Sequence, residues 1–158
     1  MKTMSLLLII LAVALLPVLS ACVAPNVPNN IESLGGTSWQ LVSYGSTSAQ
    51  QPAAPGVETS LVFGADGKVS GTLGCNGLSG DYTVSDQNNV TFGALIVTKM
   101  ACEEPQMTQE NTALQVLTGT ASFVITDDGT QMLEITSADG RNSLTLTEIT
   151  GQTPVPTE

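Results

Sequence analysis

The chain has 158 residues and a formal net charge of −10, with four basic side chains against 14 acidic ones and no histidine. That balance cannot neutralise a row of phosphates, which excludes nucleic acid as a partner, and it supplies no polybasic patch for anionic lipid. Without histidine the usual base for a serine or cysteine nucleophile is missing, which counts against hydrolases built on that pairing.

In chain order the first feature is an apolar run from Leu6 to Val18, LLLIILAVALLPV, behind Lys2. A transmembrane helix needs roughly 20 apolar residues. The run is too short to span and reads as the core of a signal peptide over residues 1–21. It also inflates the hydrophobic content of 42%, so the folded core is smaller than composition suggests. The run closes on Leu19-Ser20-Ala21-Cys22, small residues ahead of a cysteine, which resembles the lipobox of bacterial lipoproteins. The resemblance implies cleavage after Ala21, diacylation of Cys22 through a thioether, and acylation of the new amino group. Two or more acyl chains hold a protein stably on a bilayer, where one holds it marginally. The expected location is therefore extracytoplasmic, lipid-anchored to the cell membrane or outer membrane. The alternatives are a secreted protein cleaved near Ala21, with Cys22 a plain thiol, and a retained membrane segment. Cleavage would leave Lys68, Lys99 and Arg141 as the basic residues.

Residues 22–33 hold the lipidated cysteine and a Pro- and Asn-rich tether. The domain is expected over residues 34–149, and residues 150–158 read as a disordered tail. Within the domain, short strand-like runs alternate with turn signals. Strands are expected over 38–44, 60–63 and 68–73, the last two joined at Gly64-Ala65-Asp66-Gly67. Residues 45–57 read as a loop and a candidate partner-binding segment, and 74–80 as a Gly-rich loop. Strands follow over 81–85 and 90–92 around Asp86-Gln87-Asn88-Asn89, with 95–98 extending or restarting the second. Residues 103–117 read as a helix with Met107, Glu110, Leu114 and Leu117 on one stripe and Ala113 beside it. Pro105 suits its first turn, Glu103 and Glu104 its N-terminal charge, and Gly119 its C-terminal end. Three strands close the domain, over 122–126, 132–136 and 143–149, with Asp-Gly turns between them. The fold class is mainly β (α+β): an antiparallel β-meander curved into a partial barrel, with one α-helix packed on it.

Setting Cys22 aside leaves Cys75 and Cys102. An even pair in an exported domain suggests a disulfide, closing a loop worth roughly 3–4 kcal/mol in the chain-entropy model. The alternative is two buried free thiols. Their spacing is unlike that of thiol oxidoreductases. Gly74, Gly77 and Gly80 around Asn76 suggest tight turning with positive φ, and Asn76 either bonds loop backbone or contacts a ligand. Glu110 either bonds backbone from a buried position or lies at the edge of the helix stripe. Trp39 reads as a core anchor. No metal-ligand spacing is present, so no metal or other cofactor is expected.

Several segments in order carry a resemblance. They are Leu34-Gly35-Gly36-Thr37-Ser38-Trp39-Gln40-Leu41, then Gly74-Cys75-Asn76 with Ser79-Gly80-Asp81-Tyr82, then Thr98-Lys99-Met100-Ala101-Cys102, then Met107, Gln109 and Glu110. Together these resemble the META domain, also called the HslJ-like heat-shock protein domain, across about 34–149. Lys99 stands where that family commonly has arginine. The resemblance implies a compact antiparallel β fold with one helix, frequent attachment to bacterial envelopes, and links to heat shock and antibiotic resistance without a defined reaction. The expected function is a non-enzymatic, membrane-anchored binding or interaction module, with an envelope protein or a small molecule as partner. The alternatives are an inhibitor or chaperone-like domain and, further off, a small carboxylate-dependent hydrolase.

Overall fold

A computed structural model describes residues 34–85 and 88–150. The expected signal peptide, Cys22 and its tether lie outside these residues. So do Asp86 and Gln87 of the second hairpin turn and the tail from residue 151 onward.

Among the described residues there are ten strands and one helix. The strands are β1 (Thr37–Ser46), β2 (Ala49–Pro52), β3 (Ser60–Phe63), β4 (Lys68–Thr72), β5 (Gly77–Ser85), β6 (Asn89–Phe92) and β7 (Ile96–Val97), then β8 (Gly119–Asp127), β9 (Gln131–Thr136) and β10 (Asn142–Glu148). The helix, α1 (Gln106–Val116), lies between β7 and β8. All strand pairs are antiparallel, in the order β10-β9-β8-β6-β5-β4-β3-β1. Pairing of β1 with β10, from Trp39 opposite Glu148 to Ser46 opposite Asn142, turns the expected partial barrel into a closed one of eight strands. Closure removes the exposed edges that an open sheet of this order would present.

Alternation explains which faces meet. In β3, Leu61 and Phe63 are buried; in β9, Leu133 and Ile135 are buried while Glu134 faces out; in β10, Leu144 and Leu146 are buried. An eight-stranded barrel has an interior that side chains alone can fill. Here Trp39, Tyr44, Phe63 and Phe123 share one buried cluster with these aliphatic residues. Trp39 is fully buried, as expected for a core anchor, and its Nε1–H donates to Thr37 Oγ1 at 2.6 Å. Phe63 meets Tyr82 edge to face with centroids 5.0 Å apart.

Four expectations need correction. The span 45–57 is not simply a loop. β1 runs to Ser46 and β2 pairs back on its second half, while β3 pairs with its first half. The register shift between Leu41 and Ser43 lies in the pairing of β1 with β10. The Gly-rich stretch is loop only to Asn76, since β5 begins at Gly77. The helix starts at Gln106 rather than residue 103, with Pro105 at its N-cap and Glu104 Oε2 accepting from Thr108 N–H at 3.0 Å. Its buried face is rotated from the expected stripe. Gln109, Glu110, Ala113 and Val116 point inward, with Leu117 just beyond, while Met107 and Leu114 are only partly covered. Ala113, Val116 and Leu117 join the barrel core, and the helix rests against β10 and β1.

Candidate functional site

The residues the sequence singled out around Asn76 meet the N-terminal half of α1 and the segment from β7 to Cys102, here called the strap. Gly74 is where the helix comes closest. A methyl group there would lie 2.7 Å from both the Gln106 carbonyl oxygen and Glu110 Cβ, so only glycine lets the loop lie on the helix. Gly80 serves the other end, where a methyl group would lie 2.7 Å from Leu95 Cδ2. Neither these two nor Gly77 has a positive φ. The expectation of left-handed turning is therefore corrected to one of close approach.

Beyond Gly74 the chain presents successive N–H groups to one buried carboxylate. Glu110 is 5% exposed. Its Oε2 accepts from Cys75 N–H at 2.8 Å and from Asn76 N–H, and its Oε1 accepts from Asn76 Nδ2–H at 2.8 Å. Hydrogen bonds to an ionised acceptor are about twice as strong as neutral ones, and three donors offset the cost of burying the charge. Of the two readings of Glu110, the buried, backbone-bonded one holds.

Asn76 passes this anchoring on to the strap. Its Oδ1 accepts from Met100 N–H at 2.6 Å and from the Thr98 hydroxyl at 2.9 Å, and its Nδ2–H also reaches the Met100 carbonyl at 3.3 Å. Thr98 N–H donates to Gly77 O at 3.0 Å, and Thr98 Oγ1 accepts from Gly77 N–H at 3.1 Å. Asn76 is 3% exposed. Its side chain bonds backbone, as one of its two readings had it, but the backbone of the strap at Met100 rather than that of its own loop. The Cys75–Cys102 disulfide then joins the loop to the far end of the strap, with Cα atoms 6.1 Å apart. Gln109, one residue before Glu110, ties the helix to two further segments. It accepts from Ala54 N–H at 2.6 Å and donates to Leu73 O at 2.7 Å.

The braced strap carries exposed apolar side chains. Ile96 is 74% and Met100 57% exposed. Between the strap and the helix lies a cavity of about 400 Å³ bordered by Val97, Lys99, Met100, Ala101 and Met107, with Asn76 and Glu110 beneath.

Of the residues named from sequence, Gly74, Cys75, Asn76 and Cys102 come together here, Gly80 seats the start of the strap, and Cys22 lies outside the described residues. Sequence reasoning did not pair Thr98 and Met100 with Asn76, or Gln109 with the loop. The signal available was the density of hydrogen-bonding side chains in Thr98–Glu110. The Asp-Gly turns hold turn chemistry: Asp66 Oδ1 accepts from Lys68 N–H, Asp127 Oδ1 from Gly129 N–H, and Asp139 Oδ1 from Arg141 N–H. Among the described residues no group of three or more histidine, cysteine, aspartate or glutamate side chains converges as a metal site would require.

A sequence model of the META domain matches residues 32–150. Among solved structures, an NMR structure of a protein from Burkholderia xenovorans is similar at 26% identity and a TM-score of 0.68, covering 84% of this chain and 96% of that one. A second NMR structure is similar at 25% identity and a TM-score of 0.56, covering 73% of this chain and 92% of that one. The crystal structure of a DUF4847 family protein from Bacteroides vulgatus shares the fold at 12% identity and a TM-score of 0.50, covering 75% and 96%. No curated protein matches the sequence.

Proposed function

Because this chain belongs to the META domain family, we propose that it works outside the cytoplasm as a lipid-anchored, non-enzymatic binding module whose working surface is the strap. The observation that carries this reading is the exposure of Ile96 and Met100 on a segment fixed by a buried carboxylate, a buried amide and a disulfide. Large apolar side chains left in water cost free energy, and bracing them in one geometry lowers the ordering cost of binding. The leader and Leu19-Ser20-Ala21-Cys22 support the tether. The lack of histidine supports the non-enzymatic part, as does Glu110, whose carboxylate already holds three N–H donors. A role in envelope stress or antibiotic tolerance is compatible with such a module and belongs to this reading.

Two measurements test it. Intact mass of protein taken from membranes is expected to show an acylated Cys22 and no free thiol at Cys75 or Cys102 until reduction; an unlipidated mass would overturn the anchoring. A photo-crosslinking residue placed at Met100 in cells is expected to form adducts that one at Val124, exposed on β8, does not. Equal labelling from both positions would overturn the choice of surface, and turnover that depends on residues of the described domain would overturn the non-enzymatic part.

A further inference from the structure

We infer that the cavity beside the strap receives the carboxyl end of an extended peptide whose last side chain is apolar. The inference rests on the binding-module reading and names the ligand chemistry.

Charge comes first. Among the described residues there are three cations, and two are taken: Lys68 pairs with Asp81, and Arg141 lies 3.7 Å from Asp139. Lys99 has no carboxylate within ion-pair distance among the described residues, in a chain whose net charge is −10. It stands on the border of a cavity of about 400 Å³, within the roughly 300–1,000 Å³ of small-ligand sites. A lysine without an ion-pair partner among the described residues, on the border of an apolar recess, is complementary to a carboxylate joined to an apolar group.

The recess fits the apolar part. Val97, Met100, Ala101 and Met107 border it, and methionine side chains adapt to differing shapes. Glu110 also lines the recess, with its oxygens occupied by Cys75 and Asn76. Extended main chain is favoured over a compact anion by β7. It pairs with β5 on one side, and among the described residues no strand pairs with its other side. A peptide adding there would gain main-chain hydrogen bonds, place its last side chain against Met100 and Met107, and bring its carboxylate to Lys99.

The test follows methionine methyl groups by NMR in the full protein solubilised from membranes. Met100 and Met107 report on the recess, and Met132 on β9 is the internal reference. The probes are N-acetyl-Thr-Val-Leu with a free carboxylate, the same peptide as its amide, and octanoate. The acid peptide is expected to shift Met100 and Met107 saturably and leave Met132 in place. Amidation is expected to weaken binding by up to roughly fivefold, as is Lys99→Gln toward the acid, while the amide binds both proteins equally. Raised salt is expected to weaken the acid and spare the amide. Equal affinity of acid and amide, or an indifferent Lys99→Gln variant, would overturn the carboxylate assignment. Octanoate binding as tightly as the acid peptide would overturn the peptide assignment in favour of a small amphipathic anion. Methyl groups unmoved by all three probes would overturn the inference while crosslinking from Met100 still stands; loss of both would remove the binding-module reading as well.

Discussion

Glu110 does at residue scale what a longer loop does elsewhere: one carboxylate fixes two consecutive backbone N–H groups and an amide. Glu110→Gln keeps the shape but removes the charge and sets an NH₂ group among donors. It is expected to cost about 1.5–3 kcal/mol, read as a lower denaturation midpoint at unchanged denaturant slope. Asn76→Asp is expected to be worse near neutral pH, since it puts a second carboxylate where Nδ2 stands 2.8 Å from Glu110 Oε1. Tyr82 gives a pH dependence on the alkaline side. Burial, with a smaller contribution from Asp66, raises its phenol above the ordinary value of 10.0, and its hydroxyl donates to Gly64 O at 2.8 Å. A raised folded pKa means this contribution is complete below the unfolded value and is lost as pH climbs through the folded one. Tyr82→Phe is therefore expected to be less stable at neutral pH and to lose less on going alkaline. Tyr44, raised mainly by burial, keeps some of the slope in both proteins.

At the scale of elements, α1 shows why its inward face escaped an apolar-stripe reading. Its eleven residues would be marginal alone, and half of the buried face is Gln109 and Glu110; the expected stripe held Glu110 but left out Gln109, a polar side chain that such a reading turns outward. Gln109→Leu tests this. It strands Ala54 N–H and Leu73 C=O in buried positions and is expected to cost about 1–3 kcal/mol for each, whereas Leu114→Ala, on the partly covered flank, is expected to cost less. Gly74→Ala is expected to destabilise by about 1–3 kcal/mol through overpacking against Gln106 and Glu110, with little change in β9. Sequence alone made Gly74 notable but read its spacing as turning, because close approach depends on a partner 30-odd residues away. β2 stayed hidden for a simpler reason: Ala-Gln-Gln-Pro lacks the β-branched and aromatic residues that mark strands.

For the whole molecule, the strands with strict alternation and local turns were legible, and the META resemblance gathered them into one fold. The pairing of β1 with β10 was not, since it joins opposite ends of the domain and leaves no local signal. The same non-locality hid the bracket of Glu110, Asn76 and Met100, whose members are 34 and 24 residues apart. The disulfide spans 27 residues between those sites, so removing both cysteines is expected to lower global stability by up to roughly 3–4 kcal/mol while the bracket still seats the strap.

The central claim is that this bracket holds the strap as a pre-formed surface, and amide hydrogen exchange measures that directly. The N–H groups of Cys75, Asn76 and Met100 are expected to be protected nearly as well as those of β9, and Glu110→Gln is expected to strip that protection while sparing β9. Exchange of the Asn76 and Met100 amides at the rate of an open loop in the unaltered protein would contradict the account.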